Sequence, residues 1–146
     1  LQLGCAFCMI ARNGAHIKPL LLKPEICSQD ALPIQQYSCD IIHKLKDILQ
    51  KTVTQGTAHR AQIQGYHIMG KTGTANLLVT DKSGKKHYDP KKNIFTFASI
   101  VERGDYQRVV VTFLKQARRT DIYASSVAVP LAERIIQTML IKDKVL

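Results

Sequence analysis

Gly65-Tyr66-His67-Ile68-Met69-Gly70-Lys71-Thr72-Gly73-Thr74-Ala75 is the stretch that decides the fold, since it fits either a phosphate-binding loop or a strand. Gly65 to Thr72 match G-x-x-x-x-G-K-T literally. That loop needs a buried strand before it and a helix after it, so that N–H groups at the helix start cradle phosphates. Here the preceding Ala58 to Gln64 are polar, and the following residues are Gly73 and an extended Asn76-Leu77-Leu78-Val79-Thr80. Nor does an apolar strand end in a magnesium-holding Asp, because Val109 to Leu114 runs into Lys115. The strand reading is preferred to the nucleotide-binding one. On a strand, Lys71 and Gly73 face one side and Thr72 and Thr74 the other. Gly73 withholds a side chain where a backbone or ligand must approach. Hydroxyls beside a cation suit a carboxylate, although Lys-Thr-Gly by itself reads better as a strand with a glycine bulge.

Outward from this segment, the pattern is mixed. Gln62 to Ala75 is extended, and Asp81-Lys82-Ser83-Gly84-Lys85-Lys86 is a polar turn. Gly65–Thr80 and Ile94–Glu102 therefore form a long antiparallel hairpin. Arg103-Gly104-Asp105 turns the chain into a third strand, Tyr106–Leu114, and short connections make the three antiparallel neighbours. Upstream, Ser38 caps a helix whose Ile41, Ile42, Leu45, Ile48, Leu49 and Val53 have helical spacing and which stops near Gln55-Gly56. Gly56 to Arg60 is a turn. Leu1 to Ala11 is an apolar helix stopped by Asn13-Gly14, His16–Glu25 is extended, and Ser28–Pro33 is a loop. The last helix runs from about Ser125 or Ser126 to Leu140, with Pro130 allowed only in its first turn and a true start near Val129. The expected fold class is α+β: three antiparallel strands flanked by helices, as part of one layered domain.

Composition narrows the class. The 146 residues with 45% hydrophobic content support one domain with a core rather than a disordered chain. The balance of +10 favours anionic partners without naming one. The N-terminal apolar run has no initiating Met, basic leader or cleavage site and is too short for a bilayer span, so it is expected to be a core helix. Cys5, Cys8, Cys27 and Cys39 are expected to be buried thiols, since Cys5-x-x-Cys8 has no second pair at ligand spacing.

Other candidate motifs give way to plainer readings. Ser83-Gly84-Lys85-Lys86 is a literal Ser-x-x-Lys, but it lies in a turn where the lysine is solvated, so a hairpin tip is expected instead of a nucleophile. His16, His43, His59, His67 and His87 are scattered with no second ligand at metal spacing, so they are read as surface or packing residues and no metal site is expected. Lys82, Lys85, Lys86, Lys91 and Lys92 with Tyr88 are assigned to a solvated tip, and no nucleic-acid partner is expected.

The flanks of Lys71-Thr72-Gly73 carry a resemblance. Thr52 to Ala75 closely resembles class B penicillin-binding proteins, in which a helix ends in Gly-Thr-x-x-x-Ala and a Pro-Gly-Tyr leads into Gly-Lys-Thr-Gly-Thr-Ala. Leu1-Gln2-Leu3, Asn13-Gly14-Ala15-His16-Ile17-Lys18-Pro19 and Ala128-Val129-Pro130 resemble the family's Pro-Leu-Gln-Leu, Asn-Gly-Gly-x-x-x-x-Pro and Ala-Ala-Pro in the same order. The chain departs at Gln64-Gly65-Tyr66, which lacks the proline, and at Tyr123-Ala124-Ser125-Ser126, where Tyr-Gly-Gly is common.

The resemblance implies the C-terminal portion of a penicillin-binding protein/serine β-lactamase-like domain, across 1–146, with the nucleophile-bearing N-terminal part absent. It implies a D-alanyl-D-alanine transpeptidase that acts on the peptidoglycan stem peptide without metal or cofactor and is acylated by β-lactam antibiotics, on the periplasmic or extracytoplasmic face of the inner membrane. Lys71 would face the relay serine of a Ser-x-Asn that lies elsewhere, Thr72 and Thr74 would offer hydroxyls to the substrate carboxylate, and the edge through Gly73, Thr74 and Ala75 would pair with the stem-peptide backbone. The Thr74 N–H would be one oxyanion donor. With Ser-x-x-Lys and Ser-x-Asn missing, these residues alone are expected to be inactive, and without two companion strands over the apolar sheet face they are expected to be aggregation-prone or only marginally stable, with the missing N-terminal part of the domain as partner. A serine β-lactamase shares Lys-Thr-Gly but is disfavoured by the Gly-Thr-x-x-x-Ala run, and a nonenzymatic remnant of a split or decayed gene stays open.

Overall fold

The structure is a computed structural model that describes residues 1–21, 32–115 and 123–145. Helix α1 (Gln2–Ala11) leads into strand β1 (Ala15–His16), which pairs with β2 (Ile34–Gln35). Helix α2 (Cys39–Thr54) and a short 3-10 turn (His59–Ala61) precede β3 (His67–Thr80), β4 (Lys86–Arg103) and β5 (Tyr106–Lys115), and helix α3 spans Ala124–Lys142. The last three strands form one antiparallel sheet in the order β3-β4-β5, as expected. Cys27, residues 22–25 of the segment His16–Glu25 and residues 28–31 of the segment Ser28–Pro33 lie outside the described residues.

Strand alternation sends side chains to two cores. On one face Ile68, Phe95, Phe97 and Val101 meet Ala128, Val129, Ile136 and Leu140 of α3. On the other, Met69, Ala98 and Ile100 meet Phe7 and Ala11 of α1 and Leu49 of α2. Each large side chain fully buried here contributes about 1.5–3 kcal/mol over its exposed state. The α1 face is covered only in part: Val111 and Phe113, which pair with Ala98 and Thr96, are 39% and 61% exposed.

A partly buried ionic hub joins the elements of the α1 side. Lys46 Nζ of α2 donates to Glu102 Oε1 at 3.0 Å and to the Ala11 carbonyl at 3.1 Å. Gln107 Nε2 donates to the same two acceptors at 2.7 and 3.0 Å. The C-terminal carbonyl of α1, which a helix leaves without an intrahelical partner, is thereby satisfied.

Several expectations need correcting. β3 begins at His67 rather than Gln62 or Gly65, because Gly65 takes a φ of +81° and turns the chain before the strand. β4 begins at Lys86, well before Ile94. Pro90 has no N–H to give a ladder, and Pro90, Lys91 and Lys92 are set aside as a bulge opposite the Asn76/Leu77 step, with pairing resuming at Asp89.

Helix α3 starts at Ala124, so Pro130 sits in its second turn instead of the first. The missing N–H leaves the Ser126 carbonyl without its helical donor, a cost of about 3 kcal/mol. Burial of Ala124, Ala128, Val129 and Ala132 against the sheet offsets it, with Thr112 Oγ1 donating to the Ala128 carbonyl at 3.0 Å.

The cysteines are not uniformly buried either: Cys5 is half-buried, and Cys8 and Cys39 are exposed. Phe7 and Ala11 take the inward positions of α1, which leaves Cys8 on its outer side.

Candidate substrate-binding strand

Lys71 to Ala75 lie in the middle of β3, the edge strand of the sheet. This placement removes the phosphate-loop geometry, since no helix begins after Thr72. Ser83 likewise sits at the hairpin turn, where its backbone N–H and Oγ both donate to Asp81 Oδ1, at 2.8 and 2.6 Å. Those bonds, with one from the Lys85 N–H, hold the Asp81 carboxyl below its ordinary range.

Glycines shape the strand. A Cβ on Gly70 would lie 2.6 Å from the Phe97 ring and 2.9 Å from the Ala98 carbonyl oxygen, so this aromatic packs directly on the backbone before Lys71. A Cβ on Gly73 would lie 2.6 Å from Thr96 Oγ1, which itself donates to the Gly73 carbonyl at 3.3 Å. Both glycines are therefore positions of close approach, without unusual dihedrals.

The predicted site residues share a strand but divide between its faces. Lys71 pairs with Ala98 on the α1 side and Thr72 with Phe97 on the α3 side. Lys71 is exposed, with Nζ donating to the Thr72 carbonyl at 3.0 Å. The Thr72 hydroxyl is engaged behind the strand, 2.9 Å from Thr57 Oγ1. Thr74 and Ala75 are exposed, and Gly73 is half-buried. No further strand pairs with β3 on its outer side among the described residues.

Thr57 was not singled out as a site residue, although the Gly-Thr-x-x-x-Ala run contains it. Its neighbours explain that run physically. A Cβ on Gly56 would lie 2.8 Å from the Thr52 carbonyl oxygen, and Ala58 and Ala61 are fully buried. The run folds the end of α2 tightly enough to bring Thr57 against β3. Nothing in a one-dimensional pattern pairs residue 57 with residue 72. Among the described residues no group of His, Cys, Asp or Glu could hold a metal ion.

The sequence model of the penicillin binding protein transpeptidase domain matches residues 1–137. The chain belongs to that family. Within it, the chain belongs with the class B penicillin-binding protein transpeptidase domains and has the mixed α+β fold of its relatives.

The chain is 30% identical over 104 residues to the peptidoglycan D,D-transpeptidase FtsI homolog of Chlorokybus atmophyticus, covering 71% of this chain and 15% of that protein. It is 27% identical over 160 residues to penicillin-binding protein PbpB of Mycolicibacterium smegmatis, covering 99% of this chain and 24% of that protein. The chain thus spans a quarter or less of the curated relatives' length.

Among solved structures, the transpeptidase domain of Burkholderia pseudomallei penicillin-binding protein 3 superposes with a TM-score of 0.73 at 25% identity, over 95% of this chain and 40% of that one. A peptidoglycan glycosyltransferase of Atopobium parvulum, described as putative, superposes with a TM-score of 0.75 at 20% identity, over 94% of this chain and 32% of that one. This last likeness concerns the fold alone. No helix among the described residues of this transpeptidase domain is long and apolar enough to cross a membrane.

Proposed function

We propose that Lys71 to Ala75 form the substrate strand of a peptidoglycan D-alanyl-D-alanine transpeptidase whose nucleophilic serine lies outside these 146 residues. The observation that carries this reading is an edge strand that presents Lys71, Thr74 and Ala75 to solvent while Thr57 fixes it from behind. Such an edge accepts an extended peptide as an added strand.

In the reaction the serine oxygen attacks the penultimate D-Ala carbonyl and the terminal D-Ala departs as the amine. An amine of a neighbouring peptide then displaces the serine from the acyl-enzyme. The Thr74 N–H donates to the developing oxyanion together with the N–H of the serine itself. Lys71 supplies positive potential to the substrate carboxylate and to a relay serine, and the Thr74 hydroxyl donates to the carboxylate. β-Lactams acylate the same serine, and the chemistry asks for no metal or cofactor. The uncovered Val111 and Phe113 on the Lys71 face of the sheet support a second part of the domain packing there. The reaction belongs on the extracytoplasmic side of a membrane, where its polymer is.

The test is release of the terminal residue from a D-Ala-D-lactate depsipeptide by the full-length protein. We expect turnover, with Thr74→Ala lowering kcat/KM roughly 10- to 100-fold, the value of one hydrogen bond to a charged group. A folded full-length protein with no turnover would overturn the reading.

A further inference from the structure

Beyond Ala75, β3 does not end. It continues to Thr80 and returns as Lys86 to Asp89, making an arm that projects past the bulge at Pro90–Lys92. Alternate residues of β3 share a face, so Thr74, Asn76, Leu78 and Thr80 form one row, and all four are exposed. Leu78 lies directly opposite Tyr88, and the pair is 54% and 68% exposed. Two large apolar side chains facing each other on an exposed arm thus leave more than half of each in solvent.

The charges around the pair are mostly positive. The arm carries Lys82, Lys85, Lys86, Lys91 and Lys92 against Asp81 and Asp89. Asp81 is taken up by the turn. Asp89 accepts from the Lys91 N–H at 2.9 Å and lies 3.8 Å from Lys92 Nζ. Lys82, Lys85, Lys86 and Lys91 have no ion-pair partner among the described residues. At about 3.3 Å per residue, Leu78 sits roughly 13 Å along the strand from Thr74. A ligand held at Thr74 and longer than one stem peptide reaches the arm.

We infer that the β3–β4 arm is an extended subsite for a carboxylate-bearing peptidoglycan strand, with Leu78 and Tyr88 against its apolar and sugar surfaces and Lys86 and Lys91 against its carboxylates. The inference rests on the transpeptidase reading for its ligand and places a second contact region outside the Lys71–Ala75 site. Charge complementarity selects the occupant: the polymer is anionic and continuous with the bound stem peptide, and the arm continues the strand that binds it.

The test compares full-length wild type with Leu78→Ser/Tyr88→Ser, with Lys86→Gln/Lys91→Gln, and with Lys86→Arg/Lys91→Arg. The probe is a fluorescently labelled, un-cross-linked peptidoglycan strand, used as such and after amidation of its carboxyl groups. We expect the glutamine pair to weaken binding about fivefold, through the loss of two exposed charge contacts. The arginine pair should restore it, and amidation of the polymer should remove the difference between wild type and the glutamine pair. The serine pair should weaken both forms of the polymer about tenfold. Acylation by a small fluorescent penicillin, which does not reach the arm, reports separately on folding and on the transpeptidase reading. Arm variants that acylate normally and bind polymer as wild type does would overturn the inference, as would arm-dependent binding to phosphatidylglycerol vesicles with polymer binding unchanged. Wild type that fails to acylate at all would count against the transpeptidase reading instead.

Discussion

Thr57 Oγ1 and Thr72 Oγ1 stand 2.9 Å apart, joining the turn after α2 to the residue that follows Lys71. Thr57→Val keeps the shape and removes the bond. The Thr72 hydroxyl then loses its partner, and we expect a loss of about 0.5–1.5 kcal/mol in stability by urea unfolding of the full-length protein. Penicillin acylation should slow severalfold, because the bond positions the strand without touching the ligand. Thr57→Ser should restore both.

Gly70→Ala forces a methyl group into the Phe97 ring and the Ala98 carbonyl. Overpacking of this kind costs about 1–3 kcal/mol. The cost should shrink in a Phe97→Leu background, where the ring is gone, and a double-mutant cycle from thermal unfolding measures the coupling. Additive costs would mean that the ring can move aside.

Lys46→Met removes the cation that Glu102 and the Ala11 carbonyl share. The pair is only partly exposed, at 14% and 23%, so solvent replaces it incompletely. We expect a loss of about 1–3 kcal/mol, read as a lower midpoint in urea.

The Tyr106 hydroxyl is pushed up to about 12, first by desolvation and then by its bond to Asp143 Oδ2 at 2.8 Å. A folded-state value above the ordinary one near 10 means the protonated form is favoured by folding. The contribution is complete below pH 10 and is lost as pH rises from 10 toward 12. NMR titration of ring-labelled tyrosine should show the Tyr106 signal titrating late, and Asp143→Asn should bring it down.

The strand content was legible because its signals are local: Ile94 to Val101 is apolar, and the turns at Ser83-Gly84 and Gly104 carry turn residues. The sequence order and short connections also sufficed for the β3-β4-β5 order. What stayed hidden depends on contacts distant in sequence. The second strand was expected from Ile94, and only pairing with β3 on both sides of a bulge carries β4 back to Lys86. Pro130 reads as a helix start, and only the sheet beneath α3 makes an earlier start worthwhile. Lys71, Thr72 and Thr74 fall on one strand as expected, whereas the bond from the Thr72 hydroxyl to Thr57 had no counterpart in the sequence reading. Hydrogen-bond competition between two threonines has no signature in spacing.

Covalent labelling of the full-length protein with a fluorescent penicillin, wild type beside Lys71→Ala, is the decisive measurement for the strand's role. Wild type should form a stable labelled adduct on a serine outside Leu1–Leu146, and Lys71→Ala, folded by circular dichroism, should lose the labelling rate by at least about 100-fold. Labelling of Lys71→Ala at the wild-type rate would contradict the assignment of Lys71 to the site.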